Sequence, residues 1–175
     1  YQSATAYAKE RRSGKSLTKG TKSADVADPI IVHPDVRNML LTARAYNEGA
    51  RALAYWTALQ LDLSTHHPDA ETRRDADEIV QLMTPVIKAF LTDRGFEAAN
   101  LAVQVHGGHG YISEHGIEQL VRDARIAQLY EGTNGIQALD LVGRKLSLHT
   151  GRLLRHFFHP ATEFVETNQE TEELK

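Results

Sequence analysis

Apolar residues recur at helical spacing over most of the chain, and no stretch alternates at period two for long enough to predict a strand. The clearest stripe covers residues 35–63, where Val36, Leu40 and Ala43 begin a row that continues at steps of four and three. A second helix is predicted over about residues 70–106, and Pro85 inside it should kink it or remove one backbone hydrogen bond. Two such long amphipathic stretches predict an all-α fold built as an up-and-down helical bundle.

Shorter segments complete the pattern: the end of a helix at residues 1–12, a long polar loop at 14–34, and short helices near 117–124 and 135–147. From about residue 150 the chain begins apolar and ends acidic, which predicts a docked turn or short helix followed by ten frayed residues. We therefore expect a helical domain at 1–149 and a partly frayed C-terminal extension at 150–175.

Composition narrows the function classes. The chain is 41% hydrophobic and 25% charged with a net charge of −3, which is ordinary for a globular domain and argues against a nucleic-acid or membrane-surface partner. It has no cysteine, so disulfides, thiolate metal sites and a cysteine nucleophile are excluded, and a reducing, cytoplasmic location is expected. No apolar run is long enough to span a bilayer. The chain begins without an initiator Met, and we expect it to be a piece of a longer polypeptide.

Two glycine-rich turns stand out, GGHG at residues 107–110 and EGTNG at residues 131–135. Glycine lets backbone amides approach a ligand closely, so each turn is a candidate ligand-binding site. Glu131 lies at the start of the second turn, just before a predicted helix, where a catalytic base is often presented. From spacing alone, two other interpretations stay open: Glu131 as a carboxylate that interacts with a helix dipole, and the first turn as a simple helix cap.

Nine histidines raise the question of a metal site. Three of them surround the first glycine turn, namely His106, His109 and His115. A zinc site needs three or four converging ligands and usually a set of supporting hydrogen bonds, and loop histidines without cysteine or an HExxH pattern seldom meet that requirement. We expect no metal.

The segments YAKERRSGK, QVHGGHGY, VRDARI and YEGTNGIQ, in this order and spacing, resemble the C-terminal helical domain of acyl-CoA dehydrogenases. Within that superfamily the chain looks most like the bacterial branch of 3-methylmercaptopropionyl-CoA dehydrogenase-like proteins. The resemblance covers roughly residues 1–147. It implies a FAD-dependent oxidoreductase that dehydrogenates an acyl-CoA thioester between its α and β carbons.

The resemblance implies specific roles. Glu131 matches the family's catalytic base, which removes the α-proton while the β-hydrogen leaves as hydride to the flavin, and Gly132 matches a position beside the acyl chain. Positions matching flavin contacts are Arg11, Gln104, Gly107, Gly108, Thr133 and Gly135. In the arginine motif this chain departs from the family, because Arg11-Arg12-Ser13-Gly14 lacks an aromatic residue and is shorter by one.

The resemblance also implies partners. The family forms homo-oligomers, dimers or tetramers that share FAD sites across the interface, and electron-transfer flavoprotein is the expected electron acceptor. The family's N-terminal helical domain and middle β-domain are not in this chain, so we expect it not to catalyse alone. The alternative is a non-catalytic assembly or interaction bundle derived from the same family; an intact YEGTNGIQ segment favours the enzyme.

Overall fold

The computed structural model describes residues 1–18, 24–169 and 171. Helices dominate this part of the chain, and its seven α-helices are α1 (Gln2–Glu10), α2 (Pro34–His66), α3 (Ala70–His106), α4 (Gly108–Tyr111), α5 (Ile117–Ile126), α6 (Asn134–Asp140) and α7 (Arg152–Thr167). Short 3-10 helices occupy Ile30–Val32, Ser113–His115 and Leu148–Gly151, and a π-helical turn occupies Leu141–Lys145. The described residues contain no strand, only an isolated bridge between Arg12 and Pro29. The all-α prediction is confirmed.

The two long helices begin at residues suited to helix starts. α2 begins at Pro34, whose fixed φ and missing N–H fit the first helical position. Asp69 caps α3, because its Oδ2 accepts a hydrogen bond from the Thr72 N–H at 2.8 Å. That backbone hydrogen bond is also the main reason that the pKa of Asp69 is lowered. α3 continues past Pro85, and its predicted bounds of 70–106 are confirmed.

The chain divides into two compact units. Unit 1 contains Tyr1–Arg51 and Phe90–Tyr130, and unit 2 contains Ala52–Ala89 and Glu131–Lys175. The two long helices α2 and α3 each contribute residues to both units. The two glycine-rich turns accordingly belong to different units, the first to unit 1 and the second to unit 2.

The core of unit 1 is a single apolar cluster that joins α1, α2, α3 and α5. Its buried members are Ala4, Ala8, Val36, Leu40, Ala102, Val105 and Ile117. The two alanines of α1 are 1% and 0% exposed, and such small side chains allow close packing of helix backbones. Removing α1 would therefore uncover the centre of this cluster.

The predicted polar loop after α1 is hydrogen-bonded where it is described. The Ile30 N–H donates to the Arg11 carbonyl at 2.8 Å, and Asp28 exchanges backbone bonds with Ser13 and Gly14 at 3.0 and 2.9 Å. Asp28 is fully buried, and its Oδ2 accepts from the Ser16 N–H at 2.8 Å. The loop therefore folds around a buried carboxylate instead of lying open; its residues 19–23 are outside the described residues.

In unit 2 the C-terminal extension is more helical than predicted. Instead of a docked turn or short helix, α7 runs for 16 residues. Leu153 is completely buried, and the ring of Phe157 meets that of Trp56 edge-on with 6.2 Å between centroids. These contacts anchor the first half of the helix, which continues past Pro160 through the exposed residues 161–167. The predicted frayed end falls partly on residues 170 and 172–175, which lie outside the described residues, and the domain boundary at residue 149 stays a prediction.

An ion pair with a buried carboxylate holds the start of α7 in unit 2. Arg152 donates to both carboxylate oxygens of Glu78, with Nε at 3.0 and 2.9 Å and a further bond from Nη2 to Oε1. Glu78 is only 3% exposed, and the hydrogen bonds from Arg152 lower the pKa of its carboxyl group. The residues just before the pair, His149 and Thr150, have left-handed φ values of 49° and 57°. The ion pair therefore fixes an otherwise strained entry to the helix.

Candidate functional site

In unit 1 an open cavity of about 370 Å³ lies at the end of α3. Four residues that the resemblance predicts to contact flavin line it together, namely Arg11, Gln104, Gly107 and Gly108. Its remaining lining residues are Tyr7, Ser13, Ile30, Val105, His106 and His109. Arg11 lies 93 positions before Gln104 in the sequence. The structure thus brings the four residues predicted to contact flavin together on one surface of unit 1.

Gly107 and Gly110 have structural reasons to be glycine, whereas Gly108 has none. Gly107 has a φ of 59° and a ψ of −138°, a conformation that L side chains rarely adopt. A Cβ at Gly110 would lie 2.7 Å from the Val103 carbonyl oxygen and 2.8 Å from the His106 Cβ. A Cβ at Gly108 would meet nothing within 4 Å, so the cavity beside it is free for a ligand's approach. Of the three, Gly108 is the position where neither the backbone conformation nor the packing requires glycine.

Tyr7 was not predicted to be a site residue, and His109 was considered only as a metal ligand, although both line the cavity. The Tyr7 hydroxyl is hydrogen-bonded to the His109 Nδ1 at 2.8 Å, and its ring stacks on that of His106 with 4.4 Å between centroids. His109 in turn stacks on His115 at 4.8 Å. Tyr7 and His109 are 102 positions apart, and no local pattern pairs them. This aromatic cluster fixes α1 against the glycine turn that ends α3.

The candidate base Glu131 belongs to unit 2 and stands on a left-handed turn. Glu131 has a φ of 56° and Gly132 a φ of 81°, and both residues are exposed. The side-chain amide of Gln137 donates to the carbonyl of Glu131 at 3.2 Å and to that of Gly132 at 3.3 Å. Gln137 was not predicted as a site residue, because a contact between a side chain and carbonyls five and six residues earlier leaves no periodic signal.

The remaining predicted residues of this turn form the start of α6. Thr133 is the N-cap, and its Oγ1 accepts from the Ile136 N–H at 3.4 Å. Asn134 accepts a hydrogen bond from Lys88 Nζ at 2.8 Å, which ties the turn to α3 within unit 2. Gly135 is exposed at the beginning of the helix. Thr133 therefore has a capping role in the structure, and its flavin contact, like that of Gly135, stays a prediction.

Neither a metal-binding cluster nor a membrane-spanning helix is found in the part of the chain that the structure describes. Within residues 1–18, 24–169 and 171, no three His, Asp or Glu side chains converge as a metal site would require. In the same part of the chain, no helix combines the length and the hydrophobicity needed to cross a bilayer.

Comparison with known proteins identifies relatives over almost the whole chain. Residues 1–146 match the family described as acyl-CoA dehydrogenase, C-terminal domain. The 3-methylmercaptopropionyl-CoA dehydrogenase of Ruegeria pomeroyi is 48% identical over 157 residues, which cover 90% of this chain and 26% of that protein. The broad-specificity linear acyl-CoA dehydrogenase FadE5 of Mycobacterium tuberculosis is 37% identical over 179 residues, which cover 100% of this chain and 29% of that protein.

Among solved structures, the apo-form of Bd2924 matches with a TM-score of 0.71 at 21% identity, over 90% of this chain and 28% of that one. At this identity the match shows a shared fold. The chain spans little more than a quarter of the length of each of these three proteins.

Proposed function

The chain belongs to the family of acyl-CoA dehydrogenase C-terminal domains, and on that premise we propose that it supplies the catalytic base and part of the flavin-binding surface of an acyl-CoA dehydrogenase. The reaction removes one hydrogen from each of the α and β carbons of an acyl-CoA thioester. The observation that carries the proposal is the turn at residues 131–132, where Glu131 is exposed and its backbone has a left-handed φ. Strained residues of this kind cluster at active sites.

Glu131 would act as the base that takes the α-proton. A C–H group next to a thioester is a weak acid, so the base must be held close to it in one orientation. The turn provides that orientation, because the backbone of Glu131 is tied by Gln137 and the following residues start α6. Gly132 would lie beside the acyl chain, as the matching residue does in the family.

The cavity in unit 1 suits the diphosphate portion of FAD. Arg11 offers a guanidinium fork, Gln104 an exposed amide, and Gly108 an approach without a side chain. When bound, FAD supplies the acceptor for the β-hydrogen as hydride. In this proposal Arg11, Gln104, Gly107 and Gly108 hold the cofactor of a neighbouring subunit, while Thr133 and Gly135 contact flavin beside the base.

Several further properties belong to the same proposal and come from the family. The enzyme would be a homo-oligomer, a dimer or tetramer that shares FAD sites across its interface. Its acceptor would be electron-transfer flavoprotein, and its location would be cytoplasmic. The isolated domain would not catalyse, because much of the flavin and acyl-CoA site is formed elsewhere in such enzymes.

The test is flavin absorbance and its bleaching by acyl-CoA in the full-length enzyme that contains this domain. Three proteins are compared: the parent, its Glu131→Gln variant, and Glu163→Gln as a control that makes the same change at an exposed carboxylate of α7. We expect all three to bind FAD, and only Glu131→Gln to lose bleaching. The isolated domain, measured beside them, should not bleach.

Each possible outcome of this experiment leads to a different conclusion. If Glu131→Gln bleaches as fast as the parent, Glu131 is not the base and the proposal is wrong. A parent enzyme that holds no flavin would favour the non-catalytic bundle. Equal losses in Glu131→Gln and Glu163→Gln would show a general effect of removing charge instead of a specific base.

A further inference from the structure

The turn that carries Glu131 has an unfavourable backbone conformation. Two successive residues, Glu131 and Gly132, have left-handed φ values of 56° and 81°. Glycine adopts such a conformation freely, but a residue with a Cβ loses about 1–2 kcal/mol there. The chain must therefore hold Glu131 in place through other contacts if the carboxylate is to keep one orientation.

Gln137 provides those contacts with a single nitrogen. Its Nε2 lies 3.2 Å from the Glu131 carbonyl oxygen and 3.3 Å from the Gly132 carbonyl oxygen. A side-chain amide has two N–H groups, so it can serve both acceptors at once. Gln137 is itself half-buried, and its backbone N–H donates to the Thr133 carbonyl at 3.1 Å. Gln137 thus lies in the first turn of α6, and its side chain reaches back to these two carbonyls.

The same contact adds a second reason for glycine at position 132, beside its left-handed φ. A Cβ at Gly132 would lie 3.0 Å from the Gln137 Nε2 and 3.4 Å from the Ile136 Cγ2. Any side chain there would press on the amide that holds the turn, in addition to the strain of the left-handed φ. Gly132 and Gln137 therefore form a matched pair, in which the missing side chain of one makes room for the amide of the other.

The other side of the turn is tied to α3 within unit 2. Lys88 Nζ donates to the Asn134 Oδ1 at 2.8 Å, and the Asn134 amide donates to the Ala89 carbonyl at 3.5 Å. These bonds fix the residues after the turn, whereas Gln137 holds the carbonyls of Glu131 and Gly132 themselves. The orientation of the carboxylate therefore depends most directly on Gln137.

We propose that Gln137 is a positioning residue, which sets the direction of the Glu131 carboxylate by clamping the two carbonyls of its turn. The inference rests on the proposed role of Glu131 as base. Related side chains cannot replace the amide: ionised glutamate has no N–H to donate, methionine has no N–H at all, and asparagine is one methylene shorter.

The experiment uses Gln137→Met in the full-length enzyme, because methionine keeps the length and volume of the side chain and removes both donors. Gln60→Glu, in α2 of unit 2, and Glu131→Gln are measured beside it. We expect Gln137→Met to keep its FAD content and its KM for acyl-CoA within about twofold, while kcat falls by roughly 10- to 100-fold, since misplacement of a base by about 1 Å has that effect. The primary isotope effect with α-deuterated acyl-CoA should rise, because proton removal becomes slower than the other steps. Gln60→Glu should match the parent.

If Gln137→Met matches the parent in kcat and isotope effect while Glu131→Gln is inactive, Glu131 remains the base and the positioning role of Gln137 is refuted. Loss of FAD or a rise in KM that accounts for the whole defect would also refute it, since Gln137 would then have a general structural role. Should Gln137→Met fail to fold, Gln137→Glu keeps size and polarity and must show the same selective loss of kcat. Full activity in Glu131→Gln would instead overturn the proposed function.

Discussion

In the glycine turn at the end of α3, replacement by alanine is predicted to destabilise the chain at two positions, Gly107 and Gly110, but not at Gly108. Replacing Gly110 with alanine places a methyl group 2.7 Å from the Val103 carbonyl oxygen and 2.8 Å from the His106 Cβ. The first contact is with backbone, so relief requires the chain to move. Overpacking of this kind costs about 1–3 kcal/mol and occasionally more.

Gly107→Ala should also lower the stability of the chain, but because of backbone strain and not because of a steric clash. A Cβ there has open space around it, yet the φ of 59° with a ψ of −138° is a conformation for glycine. Holding alanine in such a region costs about 1–3 kcal/mol. Gly108→Ala is the matched control, because it has neither a close neighbour nor a positive φ. Alanine at a compatible position is neutral or stabilising by up to about 1 kcal/mol.

The assay is thermal unfolding of the 175-residue chain followed by far-UV circular dichroism. For a chain of this length each kcal/mol shifts the melting temperature by about 2–4 °C, so Gly107→Ala and Gly110→Ala should each lower it by about 2–12 °C. Gly108→Ala should not lower it. In the full-length enzyme, however, Gly108→Ala should weaken FAD binding, since its new methyl group projects where a ligand would approach.

Equal melting temperatures for Gly110→Ala and Gly108→Ala would refute the packing argument. A loss of stability in Gly108→Ala would show that the space around residue 108 is not open. Unchanged FAD affinity in Gly108→Ala would separate the cavity beside it from the flavin site while leaving the stability argument intact.

Two further predictions concern the contacts that fix α7 and α1. The pKa of Glu78 is lowered by its hydrogen bonds from Arg152, so its stabilisation is fully present above the unfolded pKa of about 4.3 and is lost as the pH falls through the lower folded value. Glu78→Gln should therefore reduce the free energy of unfolding in urea at neutral pH and much less at about pH 3; an equal loss at both would contradict the ion-pair argument. Tyr7→Phe removes the hydroxyl that is hydrogen-bonded to His109 and keeps the ring stacked on His106. It should therefore lower the free energy of unfolding by about 0.5–1.5 kcal/mol in the same assay. A change near zero would mean that water replaces the hydrogen bond.

The sequence was most informative where local signals agree with packing. The bounds of α3 could be predicted because Asp69 supplies a cap and a steady apolar stripe continues to the glycine turn. The length of α7 could not, because Pro160 is a helix-breaking signal and residues 161–167, which continue the helix beyond it, are exposed and have no packing pattern to predict them. The π-helical turn after α6 was likewise missed, since an i to i−5 bond such as that from Leu146 to Leu141 has no sequence signature.

The candidate site, like the fold, could be predicted only in part from the sequence. Glu131 and the two glycine turns could be found because they are contiguous motifs that resemble those of a family. Tyr7, His109 and Gln137 could not, because their importance lies in specific hydrogen bonds. A bond between side chains 102 positions apart depends on how α1 packs, and a side-chain bond to a carbonyl depends on a left-handed backbone that is visible only in three dimensions.

The order of the two units along the chain has a consequence for inheritance. Segments alternate as unit 1, unit 2, unit 1 and unit 2, with exchanges at residues 51, 89 and 130. Two of these exchanges fall inside the continuous helices α2 and α3. No single recombination event could transplant one unit into another gene, and any crossover between homologues within this region mixes residues of both. A continuous segment that carries all of unit 2 therefore also carries residues 90–130 of unit 1, including the glycine turn of its cavity.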